Sequence, residues 1–490
     1  MPKAWLICLF SLLSEASNAL PWIEAGDLRT RHDIRWLADD AHIIAPVNAW
    51  PLAWVDAEDA IASVRSFTAE VDEGSVLALT GLQSQYQRDA EIDRWRYGAQ
   101  LDVGRSSEIR TYSPDTRGDA STRVWADFTG QRLALRLSAQ TVAGDNDQQQ
   151  LRADESFAGL RLGSWSFSAN TLSKWWGPGY ADSGILSTNA RPIPVLELQK
   201  IGSDPSEFWF LNWLGPTQFR TFVGRLEQGR EVPNTFLWGA RADLRPLRNL
   251  EIGLSRTAMF GGDGRPNNLS TFLNILFGND NCGGSAIDDC GTRLNSNEPG
   301  NQLAGIDWRL SLTPWDINVA VYNQITFEDE AGGLPSRGHG LVGVELWHRY
   351  DSSNIRWYLE YNNTALRGLR GDPIYNSAYN HGIYLTGYRY RGDVIGSSLD
   401  NDARALSLGS MASLANGDFV HIEVRHVELN VDGAGLNSVS NIDQSFYSLK
   451  AVYQTEWREL DVNVGIQWRD VNVQEEPAKS HFFVQVKKQF

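Results

Sequence analysis

Cysteine is scarce in this chain of 490 residues: Cys8, Cys282 and Cys290 are all it has. That excludes a small scaffold built on several bridges. Cys282 and Cys290 sit close together in "NCGGSAIDDCG" with no histidine or further cysteine beside them, which argues against a tetrahedral zinc site. In an oxidising compartment the pair closes a short loop as a disulfide, with two free thiols as the alternative. Positive charge is also in short supply. Forty-four Lys and Arg against 60 Asp and Glu leave a net charge of −16, and a nucleic-acid partner would need a basic face. No apolar run is long enough for a membrane-spanning helix of ~20 residues, and the mean hydropathy is −0.34. Signatures of catalysis are missing as well: there is no Gly-x-Ser-x-Gly elbow, no His-Glu-x-x-His and no phosphate-binding P-loop. The eight histidines are scattered. His421 and His426, in "FVHIEVRHVELN", read as strand residues beside a bulge, because the apolar phase moves from Ile422 and Val424 to Val427 and Leu429. No cofactor and no metal are expected.

What the chain does have begins with an export signature over residues 1–19. Lys3 is followed by the apolar run "AWLICLFSLL" (Ala4–Leu13) and by small residues at Ser17 and Ala19, so cleavage is expected after Ala19. Residues 20–95 read as a small helical unit. Leu28, Ile34 and Leu37 recur near helical spacing behind Asp27, a candidate N-cap. "PVNAWPLAW" is a turn-rich break, and 56–72 and 75–95 again favour helix.

From residue 96 onward the period becomes two. "LDVNVGIQW" sets Leu460, Val462, Val464, Ile466 and Trp468 on one face, and "NIRWYLEY" sets Ile355, Trp357, Leu359 and Tyr361 opposite Arg356 and Glu360. "QRLALRLSAQ" sets Leu133, Leu135 and Leu137 against Arg132 and Arg136. Such alternation means a sheet with one apolar and one wet face. About eighteen such segments, often ~10 residues long, suit tilted strands that cross a bilayer. A soluble sheet alternates in the same way. The export signature, the terminal "HFFVQVKKQF" ending on Phe490, and the girdle-like aromatic residues at strand ends (Trp347, Tyr350, Trp468 and Tyr361) decide for a transmembrane β-barrel of about 18 antiparallel strands over 96–490. Lys488 departs from the apolar phase and has to reach the headgroups. Short connections (245–249, 313–316, 349–354) alternate with long ones (260–302, 328–340, 366–382), and in such barrels the long loops face outward.

Two stretches carry binding chemistry. "RGLRGDPIYNSAYNHGIYLTGYRYRG" interleaves Arg367, Arg370, Arg389 and Arg391 with Tyr375, Tyr379, Tyr384, Tyr388 and Tyr390. Tyrosine faces stack on sugar rings and arginines fork onto carboxylates or phosphates, so an acidic glycan fits. Girdle tyrosines and arginines that meet lipopolysaccharide phosphates are the alternative. "WWGPGYADSGILSTNARPIP" is too broken for a strand and too rich in Gly and Pro for a helix. It is stable only folded into a wet lumen, where it narrows the pore. There it either presents Trp175, Trp176, Tyr180, Asp182, Asn189 and Arg191 to a sugar or acts as a packing plug.

"SKWWGPGYADSGILSTNARPIPVLELQK" resembles the hallmark segment of the capsule-assembly outer-membrane family of the Wzi type, and "GDLRTRHDIRWLADDAHIIAPVNAWPLAW" resembles that family's opening. The resemblance spans nearly the whole chain after residue 19. It implies a monomeric barrel of about 18 strands with a small N-terminal α-helical bundle at the periplasmic mouth. It also implies a non-enzymatic, lectin-like role in the outer membrane, holding capsular or extracellular polysaccharide at the cell surface amid outer-membrane lipid and lipopolysaccharide. A diffusion channel for oligosaccharides and an outer-membrane hydrolase are the competing readings.

Overall fold

The computed structural model describes residues 21–57, 72–104, 109–145, 147, 149–202, 209–277, 300–331, 334–368, 372–471, 473 and 479–490. The export segment, Cys282 and Cys290, Arg370 and most of the helix expected over 56–72 lie outside the described residues.

Antiparallel strands close into one barrel. In chain order its first half is β1 (Arg94–Gly104), β2 (Ala120–Thr129), β3 (Leu133–Ala143), β4 (Leu151–Arg152 and Phe157–Leu162), β5 (Trp165–Asn170), β6 (Val195–Lys200), β7 (Thr217–Arg225), β8 (Phe236–Leu247) and β9 (Leu250–Phe260). The second half is β10 (Gly300–Leu312), β11 (Asn318–Ala331), β12 (Leu334–Tyr350), β13 (Ser353–Gly368), β14 (Arg404–Ser413), β15 (Phe419–Leu429), β16 (Gln444–Trp457), β17 (Leu460–Arg469) and β18 (Ser480–Gln489). The two pieces of β4 both pair with β3 and count as one interrupted strand, which makes 18. The seam joins β18 to β1, with Phe483 opposite Gly104 and Gln489 opposite Gly98. Among the described residues the barrel leaves no edge unpaired, as hydrocarbon demands.

The alternation sorts as its chemistry requires. On β3, Leu137 is 63% exposed on the outside while Arg136, 8% exposed, points into the lumen. On β13, Trp357, Leu359 and Tyr361 face out, and Arg356 and Glu360 are buried inside. Exposed aromatics ring the short-turn end: Trp95, Tyr97, Trp165, Trp213, Trp315, Tyr350, Trp457 and Phe490. Lys488 reaches Glu459 at 3.6 Å and lies over the Phe490 ring, so its charge sits at the rim.

Three expectations change. Residues 328–340 are not a loop, because β11 runs to Ala331 and β12 starts at Leu334. β15 holds an unbroken register with both neighbours and carries no bulge. Its phase change arises because Val427 and Leu429 turn inward, where loops and lumen residues form a buried apolar cluster around them. Trp347, taken for a girdle residue, faces the lumen and covers the guanidinium of Arg356 at 4.8 Å.

Helix α1 (Leu28–Asp39) starts where the sequence reading placed it, with Asp27 accepting from the Thr30 N–H at 3.0 Å. Ten of its twelve residues are buried, which puts it inside the barrel. Helix α2 (Glu73–Asp89) crosses the short-turn mouth, where Asn354 Nδ2 donates to the Gly74 carbonyl at 2.8 Å and Arg88 pairs with Glu456 at 3.1 Å. It ends at Asp89; Arg94 and Trp95, expected in the helix, begin β1. The two described helices pack on each other at this mouth, where Asp40 at the end of α1 accepts from Ser75 of α2 at 2.6 Å and Thr30 meets Gln85, with α1 seated inside the opening and α2 across it. A third helix, α3 (Leu269–Phe277), follows β9 on the loop side.

Candidate functional site

The loop between β5 and β6 turns inward and forms the spine of a plug. Trp175 pairs with Trp50 and Trp176 with Ala49 in a two-stranded ladder inside the lumen. Trp175, Tyr180 and Ala181 join α1, Trp50, Trp54 and wall residues such as Tyr358 in one apolar cluster. Arg31 of α1 donates to the Pro178 carbonyl at 2.8 Å, its guanidinium lying over Tyr112 at 4.1 Å and Tyr180 at 4.5 Å.

The barrel wall recognises this irregular backbone by pairing with it, since a buried amide without a partner is costly. Glu360 accepts from the Tyr180 and Ala181 N–H groups at 2.6 and 2.8 Å and from the Tyr322 hydroxyl at 2.6 Å. Gln324 donates to the Trp176 carbonyl at 2.6 Å and accepts from the Gly184 N–H at 3.0 Å. Helix α1 is held by charge. Arg309 bridges Asp39 (2.6 Å) and Glu345 (3.0 Å), Arg356 pairs with the same two carboxylates, and Arg35 meets Glu251 at 3.2 Å. The sequence reading singled out none of these clamps. Their signal was the charge on the inward phase of otherwise apolar strands, as with Arg356 and Glu360.

The candidate residues divide into two groups. Trp175, Trp176, Tyr180 and Asp182 are almost wholly buried in the plug. Trp176 packs on Phe222, Tyr180 stacks on Tyr358 at 4.9 Å, and Asp182 receives Ser183 N–H at 2.8 Å as well as the Ser397 hydroxyl and the Asn362 amide. Burial pushes the Asp182 carboxyl up, and the Ser397 hydrogen bond opposes it. Asn189 donates to the Val394 carbonyl at 3.0 Å, and Arg191 forks onto Asp154 at 2.8 and 3.1 Å. Tyr379 and Tyr388 are also buried, stacked at 6.2 Å under the 372–403 loop, and Arg389 forks onto Asp400. None of these seven ring, amide or acid groups offers a face to a polymer outside; their partners are the plug and its cover. Arg367 is exposed, Tyr375 is half-buried, and Arg391 pairs with Asp147 at 3.0 Å at the surface.

A polar cavity of about 310 Å³ runs beside the plug. It reaches from Arg88, Asp461 and Lys487 near the short-turn mouth to Arg110 and Arg117 under the loops. Arg117 donates to the carbonyls of Thr188, Asn189 and Ala190 at 2.7, 2.9 and 3.0 Å, tying the loop after β1 to the plug. Among the described residues no group of His, Cys, Asp and Glu is arranged to hold a metal ion.

A closed barrel with an apolar belt, aromatic rims and a lumen filled by its own chain is a plugged outer-membrane barrel. The family described as "Capsule assembly protein Wzi" matches residues 107–481, and the chain belongs to that family. An uncharacterized 55.8 kDa protein from the cps region of Klebsiella pneumoniae is 28% identical over 367 residues, 73% of this chain and 68% of that protein. The solved structure of Wzi from Escherichia coli superposes with a TM-score of 0.81 at 21% identity, covering 97% of this chain and all of the other. That protein is described as an outer-membrane protein involved in group 1 capsule assembly and a carbohydrate-binding β-barrel.

Proposed function

We propose that this chain is a monomeric, non-enzymatic, lectin-like barrel that binds capsular or extracellular polysaccharide and helps attach it to the cell surface. It reaches the outer membrane after export through a signal cleaved behind Ala19. The observation that carries this reading is the occupied lumen: the buried aromatic plug fills most of the route that a porin would keep open. Membership of a capsule-assembly family and the carbohydrate binding described for the Escherichia coli relative support it. The polymer meets the loop end, where Arg367, Tyr375 and Arg391 remain accessible. Each contact is weak, and a polymer with many repeats gains by avidity. A strain lacking the protein should release polysaccharide that the parent keeps cell-attached, and unchanged partition between the two fractions would overturn the reading. The second reading, a diffusion channel, is favoured only by the polar cavity. A large steady current in planar bilayers would support it against the plugged lectin.

A further inference from the structure

Two carboxylates in the outer cover meet opposite fates. Asp400 and Asp402 are both fully buried where the 372–403 loop runs into β14. Asp400 is matched: Arg389 forks onto it at 2.7 Å and the Ser438 N–H donates to it at 2.8 Å. Asp402 has no such match. Its Oδ2 accepts from the Asn376 N–H at 2.5 Å, and its Oδ1 has no hydrogen-bond partner. The charged groups that act on it are Asp432 and Asp400, both acidic.

The surroundings of Asp402 are short of donors. Asn376 Nδ2 donates to Asp432 at 2.5 Å, which sets Asn376 between the two carboxylates and leaves its Oδ1 over. The Oδ1 of Asn401, also fully buried, is left over too. The Val431 N–H donates to the Asp402 carbonyl at 2.9 Å and holds the segment that carries Asp432 against Asp402. On that segment Asn430 leaves a donor over, its Nδ2. The balance is three orphaned acceptor oxygens to one orphaned donor, beside two carboxylates without a counter-charge. Buried acceptors are costly until something positive meets them.

We propose that Asp402, Asp432 and the amide oxygens of Asn376 and Asn401 bind one calcium ion, which ties the 372–403 loop to the 430–440 loop on the outer side of the barrel. The donors are hard oxygens. Two carboxylates alone would not hold a metal, but calcium takes amide, carbonyl and water oxygens as well, in a flexible shell of ~6–8 ligands. Asp432 is half-buried, so the site has a side through which the ion enters and water completes the shell. Extracellular sites of this kind bind at about 0.1–1 mM.

The test uses the full-length protein in detergent, first stripped with EDTA. At about pH 7.5, calcium at about 5 mM should raise amide protection in 372–403 and 430–440 severalfold over chelator. Asp402→Asn and Asp432→Ser each remove one carboxylate, and each should abolish the gain. Should Asp402→Asn misfold, Asp432→Ser, at the half-buried position, carries the test alone. No gain with calcium overturns the proposal, and so does a gain that survives the substitutions. Magnesium at the same concentration should give a severalfold smaller gain, because it demands near-ideal octahedral geometry and keeps its own waters; an equal gain would overturn the assignment to calcium.

Discussion

The plug and the outer cover draw on the same residues, Tyr, Trp, Arg and Asp, yet use them in opposite ways. In the plug, Arg31 is buried between Tyr112 and Tyr180, and Trp175 and Trp176 are at most 1% exposed. In the cover, Arg367 stands in solvent and Arg391 is one-quarter exposed. A run of aromatic and guanidinium groups is therefore no binding site by composition. Depth decides whether it packs or recognises. A buried cation needs aromatic faces and carbonyls around it, whereas an exposed one is free to fork onto an acidic sugar.

The contrast can be broken at its strongest point first. Trp175→Ala with Trp176→Ala should remove ~3–5 kcal/mol per ring from the plug; a lower unfolding midpoint and a new bilayer current would register it. A stable, current-free double variant would mean that the rings do not hold the plug. Glu345→Leu leaves Arg309 and Arg356 to share Asp39 alone and should cost ~3–5 kcal/mol, read as earlier denaturant unfolding with no change in polysaccharide retention. On the cover the pattern should reverse. Arg367→Gln, Tyr375→Ser and Arg391→Gln together should leave stability within about 0.5 kcal/mol and lower retention severalfold at low salt, a difference that shrinks as salt screens it. Equal retention at low salt would remove these residues from the site.

The smallest effect concerns pH. Burial, with Asp432 and Asp400 nearby, pushes the Asp402 carboxyl up to about 6 against the hydrogen bond from Asn376 N–H. The folded cover thus holds this proton more tightly than the unfolded chain. The stabilisation is complete below the ordinary aspartate value near ~4, and it is lost as pH rises through about 6. Amide protection in 372–403, measured in chelator relative to the intrinsic rate at each pH, should be higher at about pH 5 than at about pH 7.5, and Asp402→Asn should flatten that dependence.

The barrel was legible because a period of two survives in most strands, and because the inward charges of Arg356 and Glu360 break no other rule. Helix α1 was legible from Asp27 and its spacing. The depth of Trp175–Arg191 was not. Its burial comes from Gln324, Glu360 and Ser397, each more than 130 residues away in sequence. No local pattern separates a ring aimed at a sugar from one aimed at Tyr358. The phase change in β15 misled for the same reason: an inward face turns apolar where distant loops cover it. The seating of α1 inside the opening was hidden because helix spacing reports an apolar face and not what that face meets.

Hydrogen bonds and short stretches of the plug's own backbone also join the cover to the periplasmic side. Ser397 in the cover holds Asp182, Gly177 N–H reaches the Asn48 carbonyl, and Asn48 holds Arg35 of α1. At the end of α1, Asp40 accepts from Ser75 of α2 at 2.6 Å, and Asn354 of the barrel grips the next carbonyl. The outer cover and the periplasmic turns are thus fastened to one internal strut, braced at several levels rather than at a single joint.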